Sequence, residues 1–323
     1  MHVFMAGRLP QAAFDRLERE NMTMTVIDAP NAQTMAEGLI GADILLLRAT
    51  PVLTAEHIRA ASRLKVVSRY GVGYDNVDLP ALTSAGIPLM VVGNTNSTSV
   101  AEGAFSLLLA AARHTLAYDQ AVRLGNWKIR DSFAATEVSG KRLLIIGFGR
   151  IGRKMAQLAQ GFDMQVAIYD PHVSAQDVLT AGFESEADLD HALARADFIS
   201  LHLGLSSSTS GMLNAARLSH LKSNAIIVNT SRGGLIDEHA LAMALNSGAI
   251  RAAGIDVFAM EPVNDKHVLF NTPNVVLSPH AAGLTREAAD RMAVATVENA
   301  LAAVMGTANR SLVVNPEVLN VKF

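Results

Sequence analysis

The sequence contains no cysteine, and this absence removes several kinds of chemistry. Disulfide bridges, thiolate nucleophiles and cysteine-based metal sites are all excluded, and no other metal site is expected. The chain also lacks a cluster or tail of lysine and arginine, and its formal net charge is −3. Because a protein must neutralise phosphates to bind nucleic acid, this charge pattern argues against a nucleic-acid partner.

Long apolar runs are absent too. No run reaches the roughly 18 residues that indicate a membrane-spanning helix. Residues 1–10 have neither the basic start nor the apolar core of a secretory signal. We therefore expect a cytoplasmic protein with no membrane partner.

What the chain does contain is typical of a large α/β protein. It has 323 residues, of which 50% are apolar and 18% charged, and this length favours two domains. Apolar strand patterns alternate with helical ones, which predicts parallel sheets. We predict two doubly wound parallel-sheet domains. A Rossmann domain at 98–285, with six or seven strands, is inserted into a smaller flavodoxin-like domain formed by 1–97 and 286–323.

The stretch at 141–152 organises the larger domain. An apolar strand pattern ends at Gly147, and a helical pattern with an apolar face follows Gly149 and runs to Gly161. Glycines at 147, 149 and 152 form G-x-G-x-x-G, which suits a tight turn, close approach of a pyrophosphate and close helix–strand packing. A second strand pattern ends at Asp170, where a carboxylate would bind a ribose hydroxyl and favour NAD over NADP. The alternative is an ordinary βαβ turn.

The segment joining the two domains reads as a helix rather than a flexible linker. Ser99 and Glu102 have the spacing of a capping box before an apolar helix at 100–114, which we expect to be buried. Residues 113–140 are less regular and include Trp127, the only tryptophan. This segment suits either a subunit contact or a surface loop.

Three polar side chains follow predicted strands of the larger domain, at the edge where open α/β sheets bind ligands. Arg232 has a planar, permanently charged fork that suits a carboxylate. His280 carries an imidazole, which ordinarily titrates near neutrality and suits proton exchange with an alcohol. Glu261 would bind the far ring nitrogen and fix the tautomer. Each has a simpler interpretation: Arg232 as a surface charge, His280 as a solvated ring and Glu261 as a turn residue.

Several motifs in the same order identify the chain as similar to the D-isomer-specific 2-hydroxyacid dehydrogenase family, most of all to the short form of the phosphoglycerate dehydrogenases. The resemblance spans nearly the whole chain. Its motifs are 69–78 (RYGVGYDNVD), 96–102 (NSTSVAE), 125–127 (GNW), 140–152, 169–171 (YDP), 229–237 (NTSRGGLID), 254–262 (GIDVFAMEP) and 278–283 (SPHAAG).

The resemblance implies a role for each of these positions. Arg232, Glu261 and His280 would be the catalytic trio. The backbone amides of Val72 and Gly73, with Arg232, would hold the substrate carboxylate. The cofactor NAD would be bound by Gly147, Gly149, Arg150, Ile151, Gly152, Asp170, Thr98, His202, Thr230, Asp256 and Gly283. Homodimerisation through the cofactor domain is implied as well.

One departure from the family pattern is visible at 201–206, which reads Leu-His-Leu-Gly-Leu-Ser. Gly204 stands where the family usually has proline, so this loop beside the cofactor would be looser. No catalytic group is lost. His202 is interpreted as a cofactor-lining or structural residue rather than a second base.

The substrate is the least determined feature. Arg48 and Arg69 resemble phosphate-binding positions of phosphoglycerate dehydrogenases, although Arg48 could instead pair with a carboxylate and Arg69 could serve the Gly-Val-Gly loop. Alternatives are a glyoxylate or hydroxypyruvate reductase, an NAD-binding corepressor and, less favoured, a formate dehydrogenase. With no added C-terminal module in this sequence, we find no basis for feedback by serine.

Overall fold

A computed structural model describes residues 1–320, and the secondary structure follows the alternation of apolar patterns. Within this range there are twelve strands: β1 (His2–Ala6), β2 (Thr23–Ile27), β3 (Ile44–Leu47), β4 (Val66–Arg69), β5 (Leu89–Met90), β6 (Arg142–Ile146), β7 (Gln165–Tyr169), β8 (Glu184–Ser185), β9 (Phe198–Leu201), β10 (Ile226–Asn229), β11 (Ala252–Ile255) and β12 (Val275–Leu277). The α-helices of the same range are α1 (Gln11–Glu18), α2 (Ala32–Leu39), α3 (Ala55–Ala60), α4 (Leu79–Ser84), α5 (Ser97–Ala112), α6 (Thr115–Arg123), α7 (Arg150–Gln160), α8 (Ala175–Thr180), α9 (Leu189–Arg195), α10 (Ala215–Ser219), α11 (Glu238–Asn246) and α12 (Arg286–Val304).

The chain divides into two compact units. Unit 1 comprises Met1–Asn96 together with the segment that begins at Thr285, and unit 2 comprises Ser97–Leu284. Unit 1 is therefore discontinuous in sequence. The final residues of the predicted smaller domain, 321–323, lie outside the described residues.

Unit 1 is a five-stranded parallel sheet with the order β2-β1-β3-β4-β5. Apart from the edge strand β2, its strands are largely buried on both faces, and β1 and β3 read as nearly continuous apolar runs rather than alternating ones. Ile44 and Leu46 pack with α1 and α12 on one face, whereas Leu45 and Leu47 pack with α2, α3 and α4 on the other. This alternation makes the unit doubly wound.

Unit 2 is a seven-stranded parallel sheet with the order β12-β11-β10-β9-β6-β7-β8. Two apolar cores cover its faces, with Leu144 and Ile146 of β6 in one and Leu143 and Ile145 in the other. The strand order reverses between β6 and β9, which pair side by side. At such a reversal the loops diverge and leave a crevice at the carboxyl ends of the strands. The predicted fold class is confirmed.

The start of α5 differs from the prediction. The helix begins at Ser97, so Ser99 and Glu102 lie inside its first turns and the capping box is wrong. The expected burial is correct, because apolar residues on most of its circumference pack into the second core of unit 2. The following segment is more regular than predicted, since it contains α6 and a 3₁₀ turn at Trp127–Ser132.

The segment that begins at Leu312 returns to unit 1, as predicted. Val313 bridges to Met90, and the buried Asn315 side chain ties the segment to the strand β5. Its Oδ1 accepts from Leu89 N at 2.9 Å, while its Nδ2 donates to Ile87 O at 3.0 Å and to Thr83 Oγ1 at 3.2 Å.

Replacing Asn315 with alanine would strand a buried donor and a buried acceptor. We expect the free energy of unfolding to fall by about 2–4 kcal/mol, since each unpaired buried group costs about 1–3 kcal/mol. Urea denaturation measures this loss. The control is Asn309→Ala, which removes an exposed cap of a 3₁₀ turn and should cost about 0.5–1 kcal/mol. Equal losses in the two variants would contradict the assigned role of Asn315.

None of the described helices is long and apolar enough to cross a membrane.

Candidate active site

Three loops at the carboxyl edge of the unit 2 sheet carry the predicted catalytic residues. They follow β10, β11 and β12, which are adjacent in the sheet and in parallel register. Because parallel strands end at the same edge, Arg232, Glu261 and His280 are brought to one side of the unit. On its other side β10 pairs with β9, and β9 pairs in turn with β6. The glycine loop follows β6.

The His280 and Glu261 side chains form a hydrogen-bonded pair. His280 Nδ1 lies 2.7 Å from Glu261 Oε2, and Glu261 Oε1 accepts from Phe258 N at 2.9 Å. Burial raises the pKa of the Glu261 carboxyl, but the bonds from His280 and Phe258 and the charges of His280 and Arg232 outweigh it, so the pKa lies below its ordinary value. An ionised carboxylate only accepts, so the imidazole proton is on Nδ1. His280 Nε2 is left to exchange a proton with a ligand.

Asp256 shapes the loop that carries His280. Its carboxylate is buried and accepts from Ser278 Oγ at 2.5 Å, from Ala281 N at 2.8 Å and from Ala282 N at 3.1 Å. Its carbonyl accepts from His280 N at 2.7 Å. With His280 at φ +55°, these bonds hold a left-handed backbone conformation that aims the ring. Asp256 thus acts on the loop itself, a role that the sequence did not indicate.

The Arg232 loop is fixed by its own backbone contacts. Asn229 Nδ2 donates to Arg232 O at 2.8 Å and Asn229 Oδ1 accepts from Ser231 N at 3.0 Å, which closes the turn at the end of β10. Arg232 Nη1 donates to Ser231 O at 2.7 Å. The guanidinium is partly exposed and lowers the pKa of Glu261 through its charge. A cation beside a histidine–carboxylate pair is an arrangement suited to an anionic ligand whose hydroxyl group gives up or receives a proton during a reaction.

Gly233 locks the Arg232 loop to the Glu261 loop. A Cβ at this position would lie 1.9 Å from Phe258 C and 2.2 Å from Ala259 N. A side chain has no room at Gly233, because the space is filled by the neighbouring loop's backbone. Two adjacent glycines signal a close approach, but the sequence does not say to what.

The glycine loop between β6 and α7 has the features that a dinucleotide requires. A Cβ on Gly147, which has φ +99°, would lie 2.6 Å from His202 O, and one on Gly152 would lie 2.0 Å from Gly147 O. Around Gly149, in contrast, nothing described lies within 4 Å of a Cβ position. No side chain caps α7 in the described structure, so the amides of Arg150, Ile151 and Gly152 are available for a phosphate.

Asp170 lies against this loop, after β7. Its Oδ2 accepts from Phe148 N at 2.7 Å and its Oδ1 from His172 N at 2.8 Å. Each carboxylate oxygen keeps a lone pair for a ribose hydroxyl. The carboxylate is thus oriented by the loop whose ligand it would bind.

Two buried polar atoms near the crevice have no hydrogen-bond partner among the described residues. They are His202 Nδ1, after β9, and Thr230 Oγ1, after the neighbouring strand β10. Burial lowers the pKa of His202 to about 4, so its ring is neutral, and its Nε2 lies 2.9 Å from Ser200 Oγ. Unpaired buried polar groups are costly, and a polar ligand at this edge would satisfy both. The site therefore fits NAD. Two further residues assigned to it, Thr98 and Gly283, lie in the first turn of α5 and in the loop after His280.

The predicted substrate residues of unit 1 lie at the ends of β3 and β4, where Arg48 follows β3 and Arg69 is the last residue of β4. Arg48 is exposed, with Nη1 donating to Arg8 O at 3.1 Å and its guanidinium 5.7 Å from the Tyr70 ring centroid. Arg69 is buried, and its Nη1 donates to Tyr70 O at 2.5 Å while its Nε donates to Asn76 Oδ1 at 3.3 Å. Val72 is exposed and Gly73 partly so, in the loop that Arg69 supports. The described bonds of Arg69 serve this loop.

Comparisons with known proteins agree with this geometry. The sequence model for the D-isomer specific 2-hydroxyacid dehydrogenase, NAD binding domain, matches residues 105–282. D-3-phosphoglycerate dehydrogenase of Mycobacterium bovis is 43% identical over 280 residues, 87% of this chain and 52% of that protein. The chain thus spans about half the length of this relative.

Two further similarities cover nearly the full length of both chains. Glyoxylate reductase of Korarchaeum cryptofilum is 35% identical over 330 residues, 99% of this chain and 97% of that protein. The crystal structure of TT0316 protein from Thermus thermophilus superposes with a TM-score of 0.87 at 32% identity, covering 95% of this chain and 98% of that one. The chain belongs to the D-isomer specific 2-hydroxyacid dehydrogenase family, and unit 2 contains its NAD-binding domain.

Proposed function

We propose that the protein is an NAD-dependent D-2-hydroxyacid dehydrogenase, which transfers hydride between C2 of a 2-hydroxy acid and NAD. The observation that carries this proposal is the His280–Glu261 pair, 2.7 Å apart, beside Arg232 on the sheet edge that also carries the glycine loop. A proton acceptor, a carboxylate-binding cation and a dinucleotide cradle are the parts that this reaction needs.

The residues divide the work as follows. When bound, NAD supplies the hydride acceptor for oxidation and the hydride donor for the reverse reaction. His280 Nε2 takes the hydroxyl proton during oxidation and returns it during reduction. Glu261 holds the opposite ring nitrogen and stabilises the imidazolium. Arg232 binds the substrate carboxylate, and the amides of Val72 and Gly73 are proposed to share that task. Unit 1 would be the substrate domain.

A phosphorylated hydroxy acid similar to 3-phosphoglycerate is the proposed substrate. Arg48 supports it, because its exposed guanidinium follows β3 at the carboxyl edge of the unit 1 sheet. A relative named D-3-phosphoglycerate dehydrogenase supports it too, whereas one named glyoxylate reductase supports an unphosphorylated substrate. We assign the phosphate role to Arg48 first, since the described bonds of Arg69 go to its own loop. Direct phosphate binding by Arg69 stays a prediction.

The test is NADH oxidation by the pure protein with phosphohydroxypyruvate, hydroxypyruvate and glyoxylate in parallel, repeated with NADPH. We expect preference for phosphohydroxypyruvate and NADH. Arg48→Gln should raise KM for the phosphorylated acid about 10- to 100-fold, equivalent to one charge-assisted contact. Arg59→Gln, an exposed arginine on α3, is the matched control. Preference for the unphosphorylated acids would leave a glyoxylate or hydroxypyruvate reductase, and NADH binding without turnover would favour the corepressor-like alternative.

We further propose a homodimer formed through unit 2, in the cytoplasm. Large apolar side chains on and after α6 are exposed: Leu116, Val122, Leu124, Trp127 and Phe133, at 51–87%. An open, mostly apolar groove of about 410 Å³ lies nearby. It is lined by Leu109 and its neighbours on α5, by Thr115 at the start of α6 and by Leu158 of α7. Apolar surface concentrated in this way favours a protein partner, and a second copy would cover it reciprocally.

Sedimentation tests the dimer directly. We expect the wild-type protein to sediment at twice its chain mass, and Leu124→Asp with Trp127→Ala to sediment as a monomer, because a buried unpaired charge opposes association. Leu179→Asp, which adds the same charge on the exposed face of α8, should stay dimeric. A wild-type monomer would contradict the proposal.

A further inference from the structure

Unit 2 contains a second histidine–carboxylate pair, separate from His280 and Glu261. Glu238 is the first residue of α11, and its Oε2 lies 3.1 Å from His267 Nε2. Both side chains are largely buried, with 14% and 12% of their surface exposed. His267 Nδ1 accepts from Leu269 N at 3.3 Å, so the ring proton is on Nε2 and is donated to Glu238. This pair has no place in the chemistry described above.

The free oxygen of Glu238 reaches the turn that carries Glu261. Glu238 Oε1 accepts from Ala259 N at 2.9 Å, and the preceding amide, Phe258 N, donates to Glu261 Oε1 at 2.9 Å. Two successive amides of one turn are therefore each held by a different carboxylate. The His267 ring also packs edge-on against the Phe258 ring, with centroids 5.3 Å apart.

A continuous set of contacts thus links the 3₁₀ turn at Val268–Asn271 to the imidazole of His280. It runs from Leu269 N through His267 and Glu238 to Ala259, and through the neighbouring amide to Glu261 and His280. The backbone of Gly233 packs closely against the same turn. Without Glu238, Ala259 N loses this partner, and one of the two amide–carboxylate bonds of the turn is lost.

We propose that Glu238 and His267 are positioning residues, which fix the turn 258–261 and thereby aim the Glu261 carboxylate at His280 Nδ1. They touch neither substrate nor cofactor. The reason is geometric: the hydrogen bond from His280 tolerates only a small displacement of the carboxylate, and the turn is exposed at Ala259 and at Glu261. For catalysis this inference rests on the proposed dehydrogenase function. The other charged groups close to Glu261 are Arg232 and His280 itself.

The experiment compares Glu238→Gln, Glu238→Ala, His267→Gln and His267→Phe with the wild type. We expect Glu238→Ala to lower kcat about 10- to 100-fold with KM changed less than about 3-fold, as misplacement of a catalytic group does. Glu238→Gln should have a kcat between those of Glu238→Ala and the wild type, because its amide oxygen still accepts from Ala259 N. His267→Gln keeps a donor and an acceptor near both ring nitrogens and should retain activity, whereas His267→Phe keeps only the ring packing and should not.

A second readout is independent of turnover. The pKa of the Glu261 carboxyl, followed by NMR, should rise in Glu238→Ala, because a displaced carboxylate loses the bonds from His280 and Phe258 that hold its pKa below the ordinary value. Glu287→Gln is the control, because Glu287 is an exposed acid in the first turn of α12 and its loss also removes a negative charge that favours a helix N-terminus. A lower melting temperature with an unchanged Glu261 pKa would overturn the positioning role. Absent turnover in the wild type would instead overturn the dehydrogenase proposal, and the titration would still decide this one.

Discussion

Replacing His280 with glutamine is expected to lower kcat about 10²- to 10⁴-fold, the range that a general acid–base group contributes. Glutamine keeps a hydrogen-bonding side chain of similar reach but exchanges no proton. KM for NADH should change little, since the glycine loop and Asp170 are untouched. Steady-state NADH oxidation with the best 2-oxo acid of the panel measures both quantities.

Two companion variants test whether the loss of activity is specific to the His280–Glu261 pair. Glu261→Gln should lower kcat less, by about 10- to 100-fold, because it removes the charge that holds His280 Nδ1–H and stabilises the imidazolium. His220→Gln changes an exposed histidine after α10 and should leave kcat as it is. Wild-type activity in His280→Gln would rule out His280 as the proton acceptor and reopen the assignment of the site.

The second large effect is expected from Gly233→Ala, a change of one methyl group. The new Cβ would overlap the backbone at Phe258 and Ala259, where no flexible side chain can give way. We expect the free energy of unfolding to fall by about 3–5 kcal/mol, at the upper end for overpacking. We also expect kcat to fall about 10²-fold, since the Glu261 turn must move. Urea denaturation and steady-state kinetics measure the two losses.

The neighbouring glycine is a matched control. A Cβ on Gly234 would meet the terminal methyl groups of Leu205 at 3.1 and 3.2 Å, and these can rotate away. Gly234→Ala should therefore cost less than about 1 kcal/mol and leave kcat within about 3-fold of wild type. If the two variants behaved alike, the contact between the Arg232 and Glu261 loops would not have the importance that we assign to it.

Features that depend on neighbouring residues in sequence were predictable. Thr54, Asp237 and Thr285 are N-cap residue types that stand before helical patterns in the sequence, and each side chain accepts from an amide in the first turn of α3, α11 or α12. An N-cap involves residues within one turn, so its sequence signal is complete. The capping box at Ser99 and Glu102 failed because the same spacing also occurs inside a helix, as it does in α5.

The contacts between loops were not predictable in the same way. Arg69 ends β4, a position typical of a ligand-binding arginine, yet its described bonds are made to the loop of its own unit. Asp256 was assigned to the cofactor, and the structure additionally gives it three bonds to the His280 loop. Glu238 and His267 are 29 residues apart and gave no signal at all. Each of these pairings depends on which loops the sheet brings together.

The sequence by itself determined that a dinucleotide loop lies between β6 and α7 and that Arg232, Glu261 and His280 follow successive strands. Glycine spacing and apolar periodicity are local properties, and parallel strands place their carboxyl ends at one edge whatever their loops contain. Only the tertiary structure decided how the three loops interlock. Three contacts hold these loops together: Gly233 packs against Phe258, Asp256 accepts hydrogen bonds from the His280 loop, and Glu238 accepts one from Ala259 N. Each contact joins residues that are distant in sequence, so packing and hydrogen-bond geometry select the partners only in the folded chain.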